Sequence, residues 1–239
     1  GYEEALVMYR RLLPKDRYPR GQPDLQTALS NVGSILDLLN EHRKAVPLLE
    51  EAVAMGRGLY PPERFPNGHP DLARVISNLS GLRFYGGDIE RAMELGREAL
   101  AMRRAVFPIA RFPTGHPELA NGIVMLAFQH RRAGEHAAAV ALMREAVAMH
   151  RGLYPAARYP DGHAELAKSL YDLGNTLFGQ GEHRDALAHY EESSAMFRRL
   201  ADRHMATASE ADALEFLRAL PHARDRWLSL SRDDRGADA

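Results

Sequence analysis

The phrase RFPNGHPDLA occupies residues Arg64–Ala73, and it returns as RFPTGHPELA from Arg111 and as RYPDGHAELA from Arg158. A looser copy, RYPRGQPDLQ, starts at Arg17. The glycines of the four copies are Gly21, Gly68, Gly115 and Gly162, spaced 47 residues apart each time. A fixed period of about 20–50 residues is the mark of a stacked-repeat protein, in which each unit packs only on its neighbours. The phrase itself reads as turn, cap and helix start. The glycine supplies a positive φ. Pro70 and Pro117 suit a first helical position, where the missing N–H costs nothing. Asp24, Asp71, Glu118 and Glu165 place an acid against the positive helix end.

Working outward, each phrase is preceded by a segment of helical period: YEEALVMYRRLL, LEEAVAMGRGLY, GREALAMRRAVF and MREAVAMHRGLY. Pro14, Pro61, Pro108 and Pro155 stop these helices, because proline cannot continue one. Each phrase is followed by a first helix with apolar residues at three and four. Turns come at Asn40–Glu41–His42, Gly86–Gly87–Asp88, Gly134–Glu135–His136 and Gly181–Glu182–His183. A second helix then carries Ala45, Ala92, Ala139 or Ala186, where helices approach closely. Two helices on a short turn form an αα-hairpin. The expected organisation is a repeat array over residues 1–203. It holds a half repeat at 2–14 and repeats starting near 24, 71, 118 and 165. Capping helices are expected over 204–231, with Ser209 as a cap and the single Trp227 in the last helix, and a disordered tail over 232–239. The chain opens at Gly1 in mid-pattern and reads as a segment of something longer.

Composition narrows the function. The 239 residues carry a formal net charge of −1, so there is no basic footprint for nucleic acid. No apolar run is long enough for a membrane helix. Cysteine is absent, which suits a cytoplasmic setting and removes thiolate chemistry. His69, His116 and His163 stand in successive repeats, at least a helix spacing of about 8–10 Å apart, too far to share one metal ion. No HExxH, GxSxG, P-loop or GxGxxG pattern occurs. The expectation is no enzyme, no cofactor and no metal.

The 47-residue unit resembles a tetratricopeptide repeat with a lengthened loop. The family's Leu–Gly pair corresponds to Val32–Gly33, Leu79–Ser80, Leu126–Ala127 and Leu173–Gly174. Its second-helix alanines correspond to Ala45 and Ala52, Ala92 and Ala99, Ala139 and Ala146, and Ala186 with Ser193. Arg83 and His130 depart from it, standing where the family has an apolar or aromatic residue. The HPDLA…NL phrase is similar to the kinesin-light-chain subtype. The Tyr-Pro followed by R[FY]PxGHP, together with ASEADALEFLRALPHARD, resembles bacterial arrays that precede a CHAT protease domain. The resemblance implies an all-α, right-handed α-solenoid of tetratricopeptide-type hairpins with long inter-repeat loops and a C-terminal capping helix. It implies a non-enzymatic protein-interaction scaffold, the sensor or docking region of a longer CHAT-type bacterial protein. The alternative is a stand-alone adaptor with no attached enzyme.

Three ladders share the period. Met8, Met55, Met102, Met149 and Met196 read as packing. Glu4, Glu51, Glu98, Glu145 and Glu192 form the second, and Arg17, Arg64, Arg111 and Arg158 the third. Each loop arginine is expected to pair with a glutamate or to stack on its neighbouring aromatic ring; the alternative is an anion-binding stripe. Positions that differ between repeats carry more about function. In the resembled family the first helices line a concave surface. Carrying its groove positions over gives Thr27, Ser30, Asn31 and Ser34, then Arg74, Ser77, Asn78 and Tyr85. The third repeat gives Asn121, Phe128 and Arg132, and the fourth gives Lys168, Tyr171 and Asn175, with Asp172 adjacent. Amide, aromatic and cationic side chains together suit an extended peptide or protein partner, and Arg132 and Lys168 favour an acidic one.

Overall fold

The structure, a computed structural model, describes residues 2–14 and 16–205. The helices and cap expected over 206–231, including Ser209 and Trp227, and the tail at 232–239 lie outside the described residues. The described residues contain helices and no strands. They are α1 (Tyr2–Leu12), α2 (Pro23–Leu38), α3 (His42–Leu59), α4 (Pro70–Tyr85), α5 (Ile89–Val106), α6 (Pro117–Arg132), α7 (His136–Leu153), α8 (Ala164–Gln180) and α9 (His183–Met205). Two compact units divide the chain, Gly1–Phe112 and Pro113–Ala239.

In the first unit α1 packs on α2, and α2–α3 and α4–α5 form hairpins joined by contact between α3 and α4. In the second unit α6–α7 and α8–α9 form hairpins joined through α7 and α8. Each first helix that begins with proline has it at the start: Pro23, Pro70 and Pro117. The hairpin turns close with left-handed residues, Asn40 at φ 60° and Gly87, Gly134 and Gly181 at φ 82–89°. The N–H groups of Glu41, Asp88, Glu135 and Glu182 then reach back to the carbonyls of Leu36, Arg83, His130 and Leu177 at 2.8–3.0 Å. That six-to-one bond is the Schellman closure, which satisfies carbonyls the helix end would leave bare.

The alanine register marks close approach, as the sequence implies. Ala45, Ala92, Ala139 and Ala186 are wholly buried, as are Ala52, Ala99, Ala146 and Ser193. Leu29, Leu49, Ile76 and Leu95 fill the first core. Met143, Leu170, Leu177 and Tyr190 fill the second. α9 is 23 residues long against 18 for α7, since no proline follows Leu200. None of the described helices is long and apolar enough to cross a membrane.

Candidate interaction face

The recurring phrase is consumed by its own loop. Gly21, Gly68, Gly115 and Gly162 all have positive φ, between 80° and 91°. A Cβ added at any of them would collide with Met55, Met102, Met149 or Met196 respectively, so the methionine ladder is the floor on which the loops rest. Met8, in α1, is 62% exposed. The histidine caps the next helix: His69, His116 and His163 Nδ1 accept the backbone N–H of Asp71, Glu118 and Glu165 at 3.2–3.3 Å. Its ring also stacks face to face on the tyrosine that ends the preceding helix, His69 on Tyr60 at 3.7 Å and His163 on Tyr154 at 3.6 Å. Phe65 and Tyr159 stand edge-on to these stacks. In the first loop Gln22 replaces histidine and makes no side-chain cap.

Of the two pairings open to the loop arginines, the structure takes the aromatic one. Arg17, Arg64, Arg111 and Arg158 each lie over the ring of the next residue at 5.5–5.8 Å. The glutamates are taken by second-helix arginines instead, 41 residues earlier in the chain. Arg57 meets Glu98 at 2.9 Å and Arg151 meets Glu192 at 2.8 Å, with Arg10 on Glu51 in the same way. These pairs are about half exposed, so each contributes only about 0–1 kcal/mol.

The first-helix positions divide into two groups. Ser30 and Ser77, expected on the open face, are buried, and Ser77 accepts a hydrogen bond from the buried Arg103 at 2.6 Å. Asn78 donates to Ser30 and Ser34 at 3.1 and 3.3 Å and so ties α4 to α2. Asn175 accepts from the Tyr190 hydroxyl, and the Tyr171 ring leans on Tyr190 at 5.7 Å. Arg74 is partly buried, 3.8 Å from Asp71, and Thr27 is also partly buried. Arg131, rather than Arg132, lies over Phe128. Arg83 and His130, the departures from the family pattern, are paired with Glu50 and Asp88 and with Glu135. The second group stays open: Asn31, Tyr85, Asn121, Arg132 and Lys168 are exposed.

Several polar residues that sequence reasoning missed lie beneath this face. Gln26 reaches the carbonyl of Ala52, and His150 Nδ1 meets the Ser169 hydroxyl at 2.7 Å. Their signal is a break in register: the positions equivalent to His150 hold Gly56, Arg103 and Phe197. Asp172, which the sequence places beside the groove positions, is partly buried on α8, and burial raises its pKa against the opposing pull of Lys168 and Arg131.

The second unit also holds three histidines whose pKa is lowered from 6.5, His150, His163 and His189, each chiefly by burial. The unfolded chain therefore binds more protons than the folded one around and below that value. Their contribution is intact above the unfolded pKa and is lost as pH falls from it toward the lowered folded values. A protonated His163 would also have no acceptor left for its capping bond. Thermal unfolding followed by circular dichroism should show a midpoint that drops between about pH 7.5 and about pH 5.5. His150→Gln should flatten that slope; an unchanged slope would remove burial of His150 as its source.

The geometry agrees with known folds. Tetratricopeptide repeat profiles match residues 25–71 and 72–118, and a second such profile matches residues 118–199. The fold is similar to that of a kinesin-light-chain-type protein of Podosopora anserina with nearly identical TPR-like repeats. The identity there is 18% over 87% of this chain and 86% of that one, with a TM-score of 0.61. BtubC (BKLC) from P. vanneervenii is also similar, at 18% identity over 98% of this chain and 90% of that one, with a TM-score of 0.62. A Rap protein complexed with competence and sporulation factor matches at 11% identity, over 97% of this chain and 63% of that one, with a TM-score of 0.54. Identities this low speak for the fold alone. No curated protein matches the chain significantly. Tetratricopeptide repeats in general mediate protein–protein interaction, and their fold is typically a non-enzymatic scaffold. With matched repeats running without a gap from residue 25 to residue 199, the chain belongs to the tetratricopeptide repeat family.

Proposed function

We propose that this chain is a non-enzymatic docking array in which the first helices of each unit present a binding face to an extended peptide or protein segment. The observation that carries this reading is the division of labour described above. Residues that recur in every repeat are spent on loops and hairpin packing. Exposed polar, aromatic and cationic side chains on first helices, Tyr85, Asn121, Arg132 and Lys168, stand at positions that differ from repeat to repeat, with the exposed Asn31 beside them. A binding site needs such differences. Arg132 and Lys168 carry no ion pair within 4 Å among the described residues, which favours an acidic segment. The sequence phrases shared with CHAT-associated arrays support a place as the sensor or docking region of a longer bacterial protein, acting in the cytoplasm.

The test is capture of partners with the intact chain, followed by titration against Arg132→Ala and Tyr171→Ala. A hot-spot truncation costs about 2 kcal/mol, roughly a thirtyfold loss of affinity. Binding should also weaken with added salt, because exposed charges are screened. Circular dichroism must show that both variants fold. Unchanged affinity in two folded variants would move the site to the loops or to the outer helices.

A further inference from the structure

The first loop departs from the other three at Leu13, Arg20 and Gln22, and two of these departures line a cavity. It lies between the end of α1, the first loop and α3, and its volume is about 550 Å³. Pockets that hold small ligands run from about 300 to about 1,000 Å³. Part of the lining keeps the repeat: Leu25 and Met55 belong to positions that are leucine and methionine in each copy. The rest does not. Leu13 stands where the later loops have Tyr60, Phe107 and Tyr154. Those rings meet Phe65, Phe112 and Tyr159 edge-on at 5.3–5.5 Å. Tyr18 is the first loop's counterpart of that second ring, and it also lines the cavity. Among the described residues no aromatic ring lies against it. Gln22 takes the place of the histidine that stacks on Tyr60 and on Tyr154. Arg20 stands where the later loops have Asn67, Thr114 and Asp161. Arg10 and Glu51, also in the lining, pair with each other, whereas Arg20 has no ion pair among the described residues.

We propose that this cavity binds an aromatic carboxylate, with its ring beside Tyr18 in the space that Leu13 leaves and its carboxylate on Arg20. The later loops specify the ring. Each holds an aromatic pair where the first loop holds Tyr18 alone, and such pairs attract beyond the area they bury. Leu13, Leu25 and Met55 add apolar surface, and a methionine sulfur contacts rings favourably. The charge at the cavity specifies the anion. With Arg10 neutralised by Glu51, the surplus is the Arg20 guanidinium, whose planar fork matches a carboxylate. Arg20, Ala54 and Gly58 are exposed, so the charged group of the ligand stays at the opening while its ring enters. A free aromatic acid has these groups, and so does a peptide ending in an aromatic residue. The site is separate from the first-helix side chains proposed to dock a partner and does not depend on them.

The experiment is a ligand-detected NMR titration of the full chain with indole-3-propionate, its neutral amide, and an N-acetylated Gly-Gly-Trp peptide. Indole-3-propionate should bind with a Kd of about 0.1–1 mM, as expected for a ligand of about 14 non-hydrogen atoms. The amide should bind about tenfold more weakly, since it lacks the charge that Arg20 receives. Arg20→Asn, which places the second loop's residue at an exposed position, should weaken the acid about tenfold and leave the amide unchanged. Leu13→Tyr combined with Gln22→His restores the ring pair of the later loops and should abolish binding of all three, with circular dichroism showing the helices retained. If that variant does not fold, Arg20→Asn still decides the carboxylate contact. A peptide that binds as well as the free acid identifies a peptide C-terminus as the source of the ligand; exclusion of the peptide identifies a free small molecule. No binding of the acid to the parent at up to about 10 mM overturns the proposal. Binding that persists in the folded double variant places the ligand elsewhere and overturns it too. Equal affinity for acid and amide, or equal losses of both in Arg20→Asn, overturns the role of the carboxylate.

Discussion

Gly115→Val should lower the stability of the protein by about 3 kcal/mol, a large share of the roughly 5–15 kcal/mol that holds an ordinary domain together. Two separate costs combine. Gly115 has φ at 90°, a conformation that strains a β-branched residue by about 1–3 kcal/mol. A Cβ at this position also collides with Cγ and Sδ of Met149, and overpacking of that kind costs about 1–3 kcal/mol. The hairpin turn provides the control that separates them. Gly134 has a similar φ of 82°, but nothing lies within 4 Å of a Cβ added there. Gly134→Ala should therefore show the backbone cost alone, about 1–2 kcal/mol. Gly115→Ala should cost more than Gly134→Ala, and adding Met149→Ala should bring the two closer together. Urea unfolding at constant slope measures all four variants. Equal losses for Gly115→Ala and Gly134→Ala would show that the loop does not rest on Met149.

Why this prediction was within reach of the sequence, and others were not, follows from where each partner lies. Gly115 and Met149 belong to ladders of one period, so their roles repeat and can be read from spacing alone. The same holds for the buried alanines and for the histidine caps. The loop arginines were half legible. Spacing allowed either a glutamate or an aromatic neighbour, and what decides is that Arg57 and Arg151 already occupy Glu98 and Glu192 from adjacent second helices. No loop residue announces that competition. The inner face was least legible, because its contacts join positions that break the repeat. Asn78 depends on serines 44 and 48 residues earlier, which have no counterparts before Asp172. Arg103 and Ser77 likewise meet only once in the described residues. The family resemblance suggests such a face; which of its side chains are spent internally depends on neighbours that vary from one hairpin to the next.

Tyr154→Ala should cost about 2–3 kcal/mol, somewhat under the usual range for a fully buried aromatic because the ring is only partly covered. The ring is the centre of the last loop. It stacks on His163 at 3.6 Å, stands edge-on to Tyr159 at 5.5 Å and reaches His150 at 5.8 Å. Stacking holds the His163 imidazole where its Nδ1 accepts the Glu165 N–H, so the aromatic contact and the helix cap are one device. His163→Ala should remove about 1 kcal/mol of capping and about 1 kcal/mol of stacking. If the two residues act together, the double variant will lose less than the sum of the single losses, by about 0.5–1.5 kcal/mol. Tyr154→Phe keeps the ring and should lose little. Binding supplies the complementary measurement. A peptide held on the first helices should bind the folded Tyr154→Ala protein as it binds the parent, since the loop lies at the helix ends and its residues are engaged with one another. Strictly additive losses in the cycle would mean that the stack does not position the cap. Loss of binding without loss of fold would mean that the loops, and not the first helices, hold the partner.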